Sequence, residues 1–404
     1  MHSVIFMKRL AVVLAVIGLL TIGVWGQGTL DVYFLDVGQG DAILIDYGTY
    51  EMLIDGGPDG ACVAEIAPYI DGHLEIVVAT HPHSDHIGGL DDVLRAFEVD
   101  AVYTNGDRSA TTNAYKQFAA AVDTENLVET PAHSESKITL DDLVFHVLSP
   151  RAVSGDANED SVVLLLTYEN VDFLFTGDTE SSAEEVLVAS RTLPDQIEVL
   201  KVAHHGSRYS TSDEFLQATN PVVAIYSAGV GNRYGHPHEE TLCALQLAGA
   251  EIFGTDVDGT IAVRTDGMDI HIWSENEPIG FLIENPGAEE ASISPQGVVI
   301  TGIRYDGAVP YTEADEYVEI TNLGPYPQEL LGWALVDAAE GYPEFAFPQH
   351  TLAPGEAVRV YTNELHPQWG GFSFGFGRAI WNNDDPDVAI LYNEEGVEIS
   401  RCSY

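Results

Sequence analysis

Hydrophobic and polar positions divide the chain into three regimes. The first is Leu10 to Trp25, sixteen residues without a charge, behind Lys8 and Arg9 and ahead of Gly26-Gln27-Gly28. A short basic segment, an apolar core and small residues are the pattern of an export signal. Sixteen residues fall short of the ~20 that span a bilayer's hydrocarbon, which favours cleavage near Gly26 over a retained N-terminal membrane anchor. Either reading puts the bulk of the chain outside the cytoplasm.

From Leu30 the pattern changes to short apolar strands punctuated by glycine. Asp31–Asp36 and Ala42–Asp46 flank Gly38-Gln39-Gly40, and Glu51–Ile54 runs into Asp55-Gly56-Gly57. A helix is expected at Cys62–Tyr69, then a strand at Leu74–Ala79 whose continuous Ile and Val read as buried on both faces. Helix and strand signals alternate as far as Ile261–Thr265, including helices at Ile87–Phe97, Thr112–Val122, Ser182–Ser190 and Glu239–Leu247. Such alternation predicts mixed sheets covered by helices. Residues 274–292, rich in Glu, Asn, Pro and Gly, read as a linker. Beyond it helix periodicity stops, and short β runs separated by Gly, Pro and Asn predict an all-β sandwich over 293–404. The division is therefore 1–28 signal or anchor, 29–273 α+β domain, 274–292 linker and 293–404 β-sandwich.

Composition narrows the class. The 404 residues carry 64 acidic and 16 basic side chains, a formal −48, and the lysines are Lys8, Lys116, Lys137 and Lys201. Phosphate-backbone binding rests on clustered Lys and Arg, so a stable nucleic-acid complex at low salt is not expected. An acidic envelope of this size suits a salty medium, where screening shortens self-repulsion. The odd cysteine count, Cys62, Cys243 and Cys402, shows no metal spacing. Each is read as a small buried hydrophobe, with at most one pair bridged.

Chemistry concentrates at strand ends. Thr80-His81-Pro82-His83-Ser84-Asp85-His86 follows the buried strand directly, and three His with one Asp in six residues can present ligands to metals in one cleft. Gly177-Asp178 follows the strand Phe173–Thr176, and His204-His205-Gly206-Ser207 follows Val199–Ala203. Three separate strand ends carrying ligand-type residues favour a metal centre over turn chemistry. Lys201, Arg208 and Arg233 flank these motifs, a placement that reads as local attraction for phosphate.

These motifs, together with Phe34-Leu-Asp-Val-Gly-Gln-Gly-Asp41, Leu53-Ile-Asp55-Gly-Gly and Asn232-Arg-Tyr-Gly-His236-Pro, resemble the metallo-β-lactamase superfamily and within it the ComEC-like competence-type branch, over about 30–273. The resemblance implies an αβ/βα sandwich with two divalent metal ions. In it His81 and His83 serve one metal, Asp85 and His86 the other, Asp178 bridges, and His204 is a ligand of the second metal, with His205 behind it or on the substrate. Most members add a further His to the first metal before the bridging Asp. Here that segment is Asn158-Glu-Asp160-Ser161, so Asn158, Asp160 or a water completes the shell, and an oxygen-richer shell admits Mn²⁺ as well as Zn²⁺. Asp55 is expected to hydrogen-bond the His loop as an orienter, and Gln39 and Asp41 to shape the rim. Residues 293–404 resemble the lamin tail domain, an Ig-like sandwich, through Asp315–Asn322, Leu331–Leu335, Phe345–Pro348, Pro354–Tyr361 and Ala379–Asn383. Trp333, Phe347 and Trp381 are read there as core.

The implied reaction is hydrolysis by water activated between two cations, attacking phosphorus or a carbonyl carbon, with Asp85 or Asp178 steering the water. His205 and His236 are candidates to stabilise developing charge or protonate the leaving group. The leading expectation is an exported phosphodiesterase or nuclease. The alternatives are a hydrolase of another ester, such as a lactone or cell-wall phosphocholine ester, and a non-catalytic envelope-binding protein. The hydrolase domain is expected to keep its activity when the chain is cut after residue 274, with the β-sandwich positioning it on an envelope or surface partner.

Overall fold

A computed structural model describes residues 28–70, 72–276, 281–283, 297–304, 316–324, 326–337, 344–363, 371–376, 380–381 and 388–403. The segment read as signal or anchor lies outside them except for its last residue, Gly28. Among the described residues no helix is long and apolar enough to cross a membrane.

Alternating apolar strands build two sheets that face each other. The first runs in the spatial order Phe281–Ile283, Ile270–Ser274, Ile261–Thr265, Leu30–Phe34, Ile43–Tyr47, Tyr50–Ile54, His73–Ala79, Glu98–Thr104 and Glu129–Pro131. The second runs Glu251–Gly254, Val223–Tyr226, Val199–Lys201, Val171–Phe175, Val163–Tyr168, Leu143–Ser149 and Lys137–Leu140. One core lies between the sheets, with Phe34 and Phe175 stacked across it at 6.4 Å. A second core packs the helices Ala61–Ile66, Leu90–Ala96 and Asn113–Thr124 on the outside of the first sheet. A third packs Ser181–Ser190, Asp213–Thr219 and Glu239–Leu247 on the outside of the second. The result is the expected αβ/βα sandwich.

Strand direction places the chemistry. Tyr50–Ile54, His73–Ala79 and Glu98–Thr104 are parallel, as are Val171–Phe175, Val199–Lys201 and Val223–Tyr226. Their carboxyl ends gather along one edge of the sandwich, the place where open α/β sheets bind ligands.

Two local readings change. The helix expected at Ile87–Phe97 is two helices, Ser84–Ile87 and Leu90–Ala96, broken at Gly88-Gly89. A Cβ on Gly88 would meet the Pro58 carbonyl oxygen at 2.1 Å, so close backbone approach, not helix continuation, decides that pair. Within the stretch read as linker, Phe281–Ile283 pairs with Ile270–Ile272 and buries Ile283 in the central core.

The C-terminal region is all-β. One sheet orders Val298–Arg304, Tyr317–Asn322, Ala357–Tyr361 and Phe372–Ser373, and the other Glu344–Ala346, Ala334–Asp337, Val388–Tyr392 and Glu398–Ser403. Trp333, Phe347 and Trp381 are buried in the core between them, as the pattern predicts. The cysteines depart from the bland reading. Cys243, on the helix Glu239–Leu247, is bonded to Cys402 of the last strand across 159 residues, and Arg401 Nη1 reaches Glu239 Oε1 at 3.3 Å beside it. Cys62 stays a free buried thiol.

Candidate metal centre

Asp55 organises the His loop. Its carboxylate accepts from Thr80 N at 2.8 Å, Thr80 Oγ1 at 2.6 Å and His86 Nδ1 at 2.7 Å. Thr80 Oγ1, its own proton committed to Asp55, accepts from His81 Nδ1 at 3.2 Å. One buried carboxylate thereby fixes the protons of two imidazoles on Nδ1 and turns both Nε2 atoms inward, the arrangement in which outer partners orient metal-ligating histidines. His83 stands just ahead of the short helix that carries Asp85 and His86, and its Nδ1 lies 3.0 Å from His81 Nε2.

Asp178 enters from the opposing sheet. Gly177 has φ +56°, and a Cβ there would sit 3.0 Å from Ser161 Cβ, so only glycine makes this turn without displacing its neighbour. Ser161 Oγ accepts from Asp178 N at 3.1 Å. The Oδ2 of Asp178 lies 3.1 Å from His86 Nε2, 3.5 Å from His205 Nε2 and 3.8 Å from both His81 Nε2 and His204 Nε2.

His204 and His205 are consecutive left-handed residues, φ +49° and +57°, and this sharp turn separates their rings. His205 is fully buried and donates from Nδ1 to the Ser227 carbonyl at 2.9 Å, aiming Nε2 at Asp178 and, at 3.6 Å, at Asp85. His204 is partly exposed, with Nδ1 3.3 Å from Glu180 Oε1. Both rings line the cleft and reach Asp178, His205 at 3.5 Å and His204 at 3.8 Å, and His205, the more buried of the two, joins the donor set in which the sequence reading places His204.

Asn158 and Asp160 also separate. Both oxygens of Asp160 are spent on the amides of Ser154 and Gly155, at 2.7 to 2.9 Å, so it braces a loop and does not reach the centre. Asn158 donates to Glu180 Oε1 at 2.9 Å, and its own Oδ1 is buried without a partner on the wall of the cleft. Asp41, read as rim, is buried inside, while Gln39 does line the cleft.

The donor set fits divalent cations. His86 Nε2, His205 Nε2 and Asp178 Oδ1 are buried with no hydrogen-bond partner, and buried polar atoms left unpaired are costly unless something else satisfies them. Asp41, His86, Asp178 and His205 offer donor atoms within 4.8 Å of one another. Asp41 is the exception among the four, because Lys201 Nζ stands 2.9 Å from its Oδ2 and a dication there would face an ammonium. His86, His205, Asp178 and Asp85 would hold one cation; His81, His83, Asp178 and the Asn158 oxygen would hold the other.

Electrostatics agree with a centre that carries protons until a cation displaces them. Burial disfavours the imidazolium of His205, but Asp178 and Asp41 outweigh it and push its pKa up to about 9. The same balance, through Asp178 and Asp55, holds His86 well above the ordinary imidazole value. Burial and the neighbouring His86 push His81 well below it. Asp178 is kept far below the usual carboxylate range by His205 and His86 against the cost of its burial.

The centre opens into a cleft of about 310 Å³ lined by Gln39, His83, Asp85, Asn158, His204 and His236, with Thr112 and Tyr234 at its walls. His236 is pushed down to about 4 by burial and by His205 and His204, so it is neutral at pH 7 and offers a hydrogen bond in place of a ready proton. Its ring packs against Tyr234 at 5.7 Å, and Arg233 covers Tyr234 at 4.7 Å. The expected phosphate attraction reduces to that guanidinium: Lys201 is internal and paired, and Arg208 pairs with Glu240 at 2.6 Å. Sequence reading missed Glu180, Ser161, Ser227 and the inward role of Asp41; the Gly-x-Gly turn ahead of Asp41 was the available signal.

Residues 35–230 match the metallo-beta-lactamase superfamily profile and residues 291–404 that of the lamin tail domain. The chain is 30% identical over 261 residues to ComE operon protein 3 of Bacillus subtilis (strain 168), covering 59% of this chain and 33% of that protein. It is 33% identical over 244 residues to Recombination protein 2 of Haemophilus influenzae, covering 58% and 29%. The chain thus spans about a third of the length of these relatives. Among solved structures it is similar to the metallo-beta-lactamase fold protein YhfI from Bacillus subtilis, at 13% identity and TM-score 0.42, covering 56% of this chain and 96% of that one.

Proposed function

Given that the chain joins a metallo-β-lactamase domain of ComEC-like type to a lamin tail domain, we propose that it is an exported metal-dependent hydrolase of phosphodiesters. The observation that carries the reading is the convergence of His86 Nε2 and His205 Nε2, both without hydrogen-bond partners, on Asp178 at the floor of an open cleft. Divalent cations bound by these residues would supply a water-derived nucleophile near neutral pH and positive charge for the phosphoryl group.

The chain's own groups do the rest. Asp85 and Asp178 orient the attacking water. His236, neutral and half-buried at the wall, donates a hydrogen bond to the substrate. Asn158, Gln39 and Thr112 make that wall polar, which suits a charged ester better than the apolar tail of a lactone. Arg233 at the mouth adds one positive charge in an acidic chain. The lamin tail domain is assigned the role of placing the enzyme on an envelope or surface partner.

Metal analysis of the purified protein, combined with a panel of bis-p-nitrophenyl phosphate, single- and double-stranded DNA, RNA, lactones and β-lactams, tests the reading. We expect divalent metal at up to two per chain and turnover of the phosphodiesters. Lactone turnover without phosphodiester turnover would replace the substrate class, and a metal-free, inactive protein would leave a binding module.

A further inference from the structure

Behind the imidazoles lies an ion pair that the metal ligands do not use. Lys201, on the strand Val199–Lys201, is fully buried, donates to the Val202 carbonyl at 2.8 Å and stands 2.9 Å from Asp41 Oδ2. Asp41 is pinned by its backbone, N to the Asp85 carbonyl at 3.1 Å and its own carbonyl to Gly57 N at 2.8 Å. The turn that delivers it needs Gly40, where a Cβ would meet the Asp85 carbonyl oxygen at 2.1 Å. From there Oδ1 lies 3.2 Å from His205 Nδ1, beside the Ser227 carbonyl that takes that nitrogen's hydrogen bond, and Oδ2 lies 3.9 Å from His86 Nδ1, whose hydrogen bond goes to Asp55. Asp178 faces the Nε2 atoms of the same two rings. The two imidazoles therefore stand between an inner carboxylate that is open to a cation and an outer one that an ammonium closes.

A buried ion pair is weak evidence of stabilisation, since an apolar pair of similar volume often serves as well. Its placement is what carries meaning. We propose that Lys201 is a positioning residue of the centre: it holds Asp41 at the Nδ1 edge of His205, so that Nε2 stays aimed at the cation position beside Asp178, and it keeps Asp41 from taking a cation itself. The inference rests on the metal-centre reading above.

The test is a cycle in the full chain, Asp41→Asn, Lys201→Met and both together, read by melting temperature and by affinity for Mn²⁺ and Zn²⁺ alone, without substrate. Each single variant breaks the buried pair from one side and should melt lower. Each should also bind the metals about 10–100-fold more weakly, the usual effect of losing an outer partner of a metal ligand. The double variant should regain most of its melting temperature and none of its affinity. Affinity that returned with melting temperature would make the pair a packing element, and single variants that bound metal as the wild type does would also overturn the proposal. Wild-type protein that binds metal yet hydrolyses no phosphodiester would defeat the functional reading and leave this cycle decisive. Wild-type protein that binds neither metal would defeat both.

Discussion

Asp178 has one oxygen within 3.8 Å of four imidazole nitrogens, and the charge balance of the centre turns on it. With His205 raised to about 9, a cation arriving at pH 7 must displace a proton from that ring. Apparent metal affinity should therefore climb from pH 6 through about 9. Calorimetry in buffers of different ionisation enthalpy should register the released protons, and pH-independent affinity would argue against His205 as a ligand. In chelated protein the sign of the stability effect is opposite. A raised imidazole pKa contributes stability that is complete below the unfolded value of 6.5 and is lost as pH rises through about 9. Asp178→Ala should abolish hydrolysis and leave less than one metal per chain, because the carboxylate facing both Nε2 atoms is gone; wild-type metal content in that variant would sink its bridging role. The choice between His204 and His205 was not legible in the sequence. Two adjacent histidines differ only in which ring a left-handed turn buries, and that turn is set by Gly177 and Ser227, distant in the chain.

The loops that end the strands are positioned as much by missing side chains as by present ones. Gly177→Ala would force the Ser161 contact open and tilt Asp178, so it should cost more than the ~1 kcal/mol of an ordinary strained glycine replacement and cut kcat/KM severely. Gly155→Ala is the comparison, also at positive φ but with open space around its Cβ, and should lower melting temperature slightly with activity intact. Equal losses of activity in the two variants would refute the argument from close approach. At this scale the sequence was readable wherever period and caps sufficed. The helix Glu239–Leu247 begins and ends where the pattern places it, and the short β runs beyond residue 293 do form strands. It was not readable where a partner decides. Ile270–Ser274 and Phe281–Ile283 are strands because a sheet edge waits for them, and Asp41 turns inward because Lys201, 160 positions later, meets it.

Over the whole molecule the formal −48 remains, and the described site adds no basic groove to offset it. Self-repulsion is screened as the Debye length falls from ~30 Å at 0.01 M to ~3 Å at 1 M. Melting temperature should rise across that range. So should kcat/KM on a phosphodiester, because long-range repulsion is screened while contact at the centre acts within a few Å. A steady fall in kcat/KM with salt would instead mark counterion release from a cationic surface. The two halves are also less separable than a linker between them suggests. A cut after residue 274 removes Ile283 from the central core and strands Cys243, so a self-sufficient hydrolase domain has to extend at least through Ile283. The Cys243–Cys402 bond also fixes what proteolysis can achieve. It closes a covalent ring around everything from the helix after His238 to the last strand, the connecting segment included. A protease that nicks the chain anywhere inside that ring releases nothing: the fragments travel as one species until a reductant opens the bond, and the lamin tail domain comes free only when cleavage and reduction coincide.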